Sequence, residues 1–260
     1  MSQPPATPTI GLPFIELQSV DSTNNYARAL IRGQHLPERQ ELARHGLAVI
    51  AHQQLSGKGQ RGKSWVAEKD TSIALSVLIN PDFLGVGQQF QLSAAVAVAA
   101  EGFFRNYAGD DTKVKWPNDL YWQDRKAGGI LIENVISGSG TWEWAIVGIG
   151  ININQVRFPA ELPNPVSLKQ ITGKDFDPCQ LARELCGHLN SAYHQLETEG
   201  YPGIYETYCS RLYKSGQLVK LKKETRVFEA LVKNVTPEGR LLVQHGTEEE
   251  YNFGEVEWVI

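Results

Sequence analysis

"GKGQRGKS", Gly57 to Ser64, spells two nucleotide-binding patterns at once. Read as G-x-x-x-x-G-K-[ST] it is a P-loop on Gly57, Gly62, Lys63 and Ser64, and read as G-x-G-x-x-G it is a dinucleotide fingerprint on Gly57, Gly59 and Gly62. Both patterns need a helix directly after the loop, whose N-terminal amides and dipole hold the phosphates. The residues that follow, "WVAEKDTSIALSVLI", alternate like a strand. No apolar run ends in an aspartate that could serve a P-loop, and the acid near the ribose-binding position, Asp82, follows a proline. Both patterns are therefore set aside. What is left is physical: glycines let backbone approach a ligand closely, and Lys58, Arg61 and Lys63 bring three positive charges to eight residues. On its own the loop fits a solvated turn and an anion-binding loop equally well.

Upstream of the loop, "FIELQSV" (14–20) reads as a strand. "DSTNNYARALIRG" (21–33) reads as a helix with N-cap oxygens on Asp21, Ser22 and Thr23 and a stop at Gly33, and "GLAVIAHQQ" (46–54) as a short strand. Downstream, "TSIALSVLIN" places Ile73, Leu75, Val77 and Ile79 on one face of a strand, and the Ala-rich 89–108 is long enough for a buried helix. Residues 112–154 hold short β-rich runs broken at Pro-Asn-Asp, Gln-Asp-Arg and Gly-Ser-Gly, which predicts an antiparallel meander. A Pro-rich connector (158–168) leads to a helix from Asp177 and Pro178, with Leu181, Leu185, Leu189 and Ala192 on one stripe, and to a shorter helix at 203–213. From Gly216, alternating strands and polar turns suit a small barrel packed on a larger domain.

The chain has 260 residues, 42% hydrophobic and 21% charged, and a net charge of -4. That is globular composition, with too little positive charge for general nucleic-acid binding. Three cysteines (Cys179, Cys186, Cys209) have no C-x-x-C or zinc-like spacing, and the six histidines (His35, His45, His52, His188, His194, His245) show no ligand spacing. Reduced thiols and structural or surface histidines are expected. The polar, Pro-rich start and the lack of a long apolar run predict a soluble, cytoplasmic chain.

Four segments break the tie over the loop. "DSTN" (21–24), "QQLSGKGQRGKSW" (53–65), "KWPNDLYWQDRKAGGILIE" (115–133) and "VGIGININ" (147–154) closely resemble, in order, the motifs of biotin–protein ligases, and the tail resembles the SH3-like barrel that ends the bacterial enzymes. The resemblance runs from about residue 14 to the C-terminus, and the pair "KWPND" and "RKAGGIL" is its most specific part. It implies an α+β fold, a mixed or antiparallel sheet with flanking helices of the class II aminoacyl-tRNA synthetase-like type, plus the small barrel. Residues 1–13 would be a flexible N-terminus, 14–212 the catalytic domain and 213–260 the SH3-like domain. The 13 residues before the first strand are too few for the helix-turn-helix domain of some bacterial members, so a ligase without DNA binding is expected. The implied chemistry uses ATP and Mg²⁺ to convert biotin to biotinyl-5'-AMP, then passes biotin to a lysine of a biotin carboxyl carrier protein domain. The carrier would be acetyl-CoA carboxylase or a related carboxylase, and the ligase a monomer or homodimer.

The resemblance also assigns roles. Ser22, Thr23, Asn24 and Gln54 would form the biotin pocket, though Ser22 and Thr23 also fit plain helix capping. Gly57, Lys58, Gly59 and Gln60 would meet the biotin carboxylate and the adenylate phosphate, with Arg61 and Lys63 as further phosphate contacts. Lys126 would contact the reacting carboxyl and α-phosphate, where charge develops, and would otherwise be an exposed hairpin lysine. Asp119 would orient the incoming lysine or help take its proton. Asn118 would support the adenylate or Mg²⁺ unless it only builds a turn, Lys115 would sit beside the phosphates, and Asn152 would reach the adenylate. Gly148 and Gly150 would let backbone pass close to the ligand, and Trp65 would lie on the adenine unless it is simply core. The Mg²⁺ ligands stay open. Gln60 replaces an arginine common in the family, and Lys58 replaces another, which keeps charge but loses the bidentate fork. A lipoate or octanoate ligase or transferase of the same architecture is the alternative.

Overall fold

The computed structural model describes residues 9–33 and 41–259. Most of the expected flexible N-terminus and His35 lie outside the described residues. Strand β1 (Phe14–Leu17) leads into helix α1 (Thr23–Ile31), then β2 (Ala48–Ala51). Two-residue strands β3 (Gly57–Lys58) and β4 (Ser64–Trp65) flank the loop, followed by β5 (Ser72–Ile79) and helix α2 (Gln89–Ala108). The meander is β6 (Thr112–Lys115), β7 (Asp119–Trp122), β8 (Arg125–Ile136) and β9 (Trp142–Asn152). The chain then forms α3 (Leu168–Thr172), α4 (Pro178–Thr198) and α5 (Tyr201–Ser210). Asp177 caps α4 by accepting from the Cys179 and Gln180 amides, as expected.

Seven strands form one sheet in the order β1-β2-β5-β9-β8-β7-β6, antiparallel throughout except for the β1–β2 pair. The fold is therefore α+β with a mixed sheet and flanking helices. All eight residues of β5 are buried, so the period-two pattern records the two faces of a central strand rather than an inside and an outside. Ile73, Leu75, Val77 and Ile79 join the large core with α2 and α4, including Ala94, Phe103 and Leu185. Leu78 and Ile146 face the other way and pack under Ala27 and Leu30 of α1.

That second face is covered by α1 over only part of its length. Register aligns Asp119, Gly129, Gly150 and Ala74 across β7, β8, β9 and β5 in one row, and Leu131, Gly148, Ser76 and Val49 in the row two residues along. Rows two apart share a face. This end of the face is thus floored by glycines, with small polar and charged residues around them.

The chain after Gly216 forms β10 (Leu218–Lys223), β11 (Arg226–Val235), β12 (Leu241–His245), β13 (Thr247–Tyr251) and β14 (Glu257–Val259). They make a five-stranded antiparallel sheet in the order β13-β12-β11-β10-β14. It is tied to the larger unit by the Trp116 indole N–H, which donates to the Gly239 carbonyl at 2.9 Å, and by the Tyr205 hydroxyl, which donates to the Val235 carbonyl. Among the described residues no helix is long and apolar enough to cross a membrane.

Candidate active site

The loop is a small hairpin. β3 pairs with β4, Gly57 opposite Trp65 and Lys58 opposite Ser64, and a single 3₁₀ turn at Gln60–Gly62 joins them. No helix follows Lys63, so both phosphate-loop patterns are excluded by geometry, as the strand-like residues after Ser64 predict. Arg61 sits in the left-handed region at φ 53°, which an arginine rarely adopts.

The first half of the site is a buried polar network beneath this hairpin. The Gln54 side-chain oxygen accepts from the Thr23 amide at 2.9 Å and lies 3.1 Å from the Thr23 hydroxyl. The Ser76 hydroxyl reaches both Thr23 Oγ1 at 2.8 Å and Asn24 Oδ1 at 2.6 Å. Asn24 donates to Glu133 at 2.8 Å, and Glu133 pairs with Arg28 at 2.9 Å. Ser22, Thr23 and Asn24 are each nearly inaccessible. Ser22 occupies the N-cap of α1, yet its side chain makes no capping bond, so helix capping does not account for the DSTN segment.

The second half is the meander. Lys126 Nζ donates to Asp119 Oδ1 at 2.7 Å, with both side chains about a third exposed. Gly129 leaves the flank of this pair bare: a Cβ there would sit 3.2 Å from Asp119 Oδ1 and 3.5 Å from Lys126 Nζ. Asn118 is buried and gives its amide to the Ile130 carbonyl, which also receives Gln60 Nε2 at 3.3 Å. Asn152 is buried and donates to the Val166 carbonyl at 3.1 Å, which pins the connector beside Lys126. Lys115 is buried, 3.1 Å from the Tyr121 hydroxyl and 5.3 Å above the Trp258 ring of the C-terminal sheet. Desolvation lowers its pKa to about 8; the Asp119 carboxylate opposes this, and Lys126 and Lys63 add to it.

Several of the expected site residues meet other parts of this chain. Gly148 and Gly150 serve side chains of this chain. A Cβ at Gly148 would meet Asn24 Oδ1 at 2.5 Å, and one at Gly150 would meet the Trp65 indole at 2.6 Å. Trp65 therefore lies on Gly150, and its buried ring N–H has no hydrogen-bond partner among the described residues. Lys58 donates to Asn25 Oδ1 at 2.5 Å. Arg61 turns toward the C-terminal sheet, 3.7 Å from Glu257 and beside Gly254. Ser76, Glu133, Arg28 and Trp258 escaped the sequence reading. Ser76, the polar residue in the middle of a fully buried strand, carried a readable signal, and so did Glu133, the acid that closes the "GGILIE" run.

The histidine reading needs one correction. His52 Nε2 lies 2.8 Å from Glu16 and 3.9 Å from Cys179 Sγ, with His52 and Cys179 127 residues apart in the chain, a cluster that no local spacing could reveal. By contrast His45 accepts from the Asn80 amide and His245 bonds the Glu229 carbonyl, both structural roles.

The model of the Biotin/lipoate A/B protein ligase family matches residues 17–152, which contain both halves of the site. The chain belongs to the biotin/lipoate A/B protein ligase family. Among its relatives in that family, the bifunctional ligase/repressor BirA of Escherichia coli (strain K12) is 30% identical over 247 residues, 92% of this chain and 72% of that protein. A biotin--[acetyl-CoA-carboxylase] ligase of Paracoccus denitrificans is 28% identical over 203 residues, covering 75% of this chain and 83% of that one. The fold is similar to that of the biotin protein ligase from Aquifex aeolicus in complex with biotin and ATP, with a TM-score of 0.77 and 25% identity over 95% of this chain and 98% of that one.

Proposed function

We propose that the chain is a biotin–protein ligase that makes biotinyl-5'-AMP from biotin and MgATP and transfers biotin to a lysine of a biotin carboxyl carrier protein domain. The observation that carries this is the Lys126–Asp119 pair beside Gly129, adjoining the buried Thr23–Asn24–Ser76 network and the hairpin that reaches β8 through Gln60. In the first step a biotin carboxylate oxygen attacks the α-phosphorus of ATP, and the bond to the β-phosphate breaks as pyrophosphate leaves. Lys126, held by Asp119, and Lys115, held by the Tyr121 hydroxyl, supply positive charge around that phosphorus fixed before the reaction begins, and the exposed Lys63 adds to it. In the second step the carrier lysine's amine attacks the acyl carbon, the acyl–oxygen bond breaks, and AMP leaves. Asp119, which pairs with Lys126 before the carrier arrives, holds the incoming ammonium and receives its proton.

The neutral ureido ring of biotin needs both donors and acceptors. Gln54 has its oxygen committed to Thr23, which leaves its –NH₂ to donate, and Ser22 offers a hydroxyl free of capping duty. Gln60 rests on the Ile130 carbonyl and Trp65 on Gly150, so the hairpin is seated against β8 and β9 where it can close over the adenylate. We read residues 14–212 as the catalytic unit and 213–260 as an SH3-like barrel whose Trp258 and Glu257 border the site through Lys115 and Arg61. The carrier is a domain of acetyl-CoA carboxylase or a related carboxylase.

The test is transfer of radiolabelled biotin or lipoate to a purified carrier domain with MgATP. Biotin labelling, with lipoate at background, is expected. Labelling by lipoate alone would overturn the substrate assignment in favour of a lipoate ligase.

A further inference from the structure

Away from the ligand site, four side chains from four separate segments meet at the ends of β1 and β2. Glu16 is on β1, His52 follows β2, Asp70 precedes β5, and Cys179 lies in the first turn of α4. One donor atom from each of Glu16, His52 and Cys179 lies within 4.8 Å of the other two. His52 is fixed by its backbone, with its amide on the Leu17 carbonyl at 2.9 Å and its carbonyl accepting from the Asp70 amide at 3.0 Å. Its Nδ1 is held by the Asp70 carboxylate, so Nε2 is aimed at Glu16 and Cys179.

We propose that Cys179, His52 and Glu16 bind a single zinc-class divalent cation, with Asp70 orienting the imidazole from behind. A thiolate, an imidazole and a carboxylate form a mixed set suited to zinc and its neighbours, and three protein ligands leave one position for water. A carboxylate on the far nitrogen of a ligating histidine is the usual outer support of such sites. Tetrahedral zinc distances require about 3.6 Å between sulfur and nitrogen and about 3.4 Å between nitrogen and oxygen. The pairs stand at 3.9 Å and 2.8 Å, so the thiol closes by a few tenths of an ångström and the Glu16 side chain, 43% exposed, swings outward. Charge favours a dication as well: Glu16, Asp70 and Asp177 all surround the thiol, against the single guanidinium of Arg183, which is stacked on Phe14 at 3.8 Å. His52 and Asp70 also bracket residues 53–69, so the cation would pin both ends of the segment that carries the hairpin. The site stands independently of the ligase reading.

The test is titration of the reduced, tag-free full chain with Co²⁺, followed by displacement with Zn²⁺. One equivalent of Co²⁺ should give intense tetrahedral bands and a thiolate-to-cobalt charge-transfer band, all bleached by Zn²⁺. Cys179→Ser should lose the charge-transfer band. Glu16→Gln and Asp70→Asn alter exposed carboxylates and keep the fold testable; each should keep the band, and Asp70→Asn should bind about 10- to 100-fold more weakly. No tetrahedral bands at saturating Co²⁺, or a charge-transfer band unchanged in Cys179→Ser, or unchanged affinity in both carboxylate variants, would overturn the proposal.

Discussion

Gly148→Ala tests whether the glycine at the centre of β9 exists for Asn24. The added Cβ would lie 2.5 Å from Asn24 Oδ1 and 3.0 Å from Cγ and Nδ2, where ordinary contact begins at about 3.4 Å, so the amide must withdraw by roughly 0.9 Å. It has no slack to do so, being buried and held by Ser76 at 2.6 Å and Glu133 at 2.8 Å. Overpacking of this kind costs about 1–3 kcal/mol, and losing the buried bond to Glu133 adds about 1 kcal/mol or more. In an Asn24→Ala background the obstructing oxygen is absent. Gly148 has no left-handed backbone to protect, so the same substitution should be neutral or stabilising by up to about 1 kcal/mol. A four-member cycle of urea unfolding, with biotin affinity measured by calorimetry on each member, should therefore give a coupling energy of about 2–5 kcal/mol. Gly148→Ala should also weaken biotin binding, because Asn24 anchors the network that holds Thr23 and Gln54. An equal cost of Gly148→Ala in both backgrounds would refute the packing argument.

Three further outcomes follow from the same geometry. Lys126→Ala should slow both pyrophosphate release and biotin transfer by about 10²- to 10³-fold, as loss of one preorganised cationic donor does, while Ser64→Ala, on the exposed hairpin, should stay near wild type; a large Ser64 effect would revive the P-loop reading. Gly150→Ala should lift the Trp65 indole off β9, seen as red-shifted tryptophan fluorescence and a raised KM for ATP with little change for biotin. Lys115, with its folded pKa lowered to about 8 from 10.5, leaves the folded state with fewer bound protons between those values. Its burial cost is therefore fully present below about pH 8 and is relieved as pH rises toward 10.5. Wild type should gain stability relative to Lys115→Met across that window in pH-resolved unfolding, and a constant difference would contradict the burial assigned to Lys115.

The elements that could be read from the sequence were those whose signal is local. Asp177-Pro178 marks the start of α4, the turn residues mark the β6–β9 meander, and the strand-like run after Ser64 rules out a phosphate-binding helix. The 2.7 Å contact between Lys126 and Asp119 follows from their places on adjacent strands. What was hidden depends on register and distance. Whether Gly148 faces a ligand or Asn24 turns on the pairing of β9 with β5 and the seat of α1. Arg61 pointing at Glu257 needs the C-terminal sheet in position, and His52 meeting Cys179 needs β2 and α4 brought together.

The central claim is that activation and transfer are separate steps at one site. Purified chain incubated with biotin and MgATP, without a carrier, should release pyrophosphate in a burst of about one equivalent and retain biotinyl-5'-AMP. Addition of a carrier domain should then discharge it, adding the mass of biotin less one water to a single lysine and releasing AMP. Carrier modification without any prior pyrophosphate burst or bound adenylate, or a burst that no carrier lysine can discharge, would contradict the account.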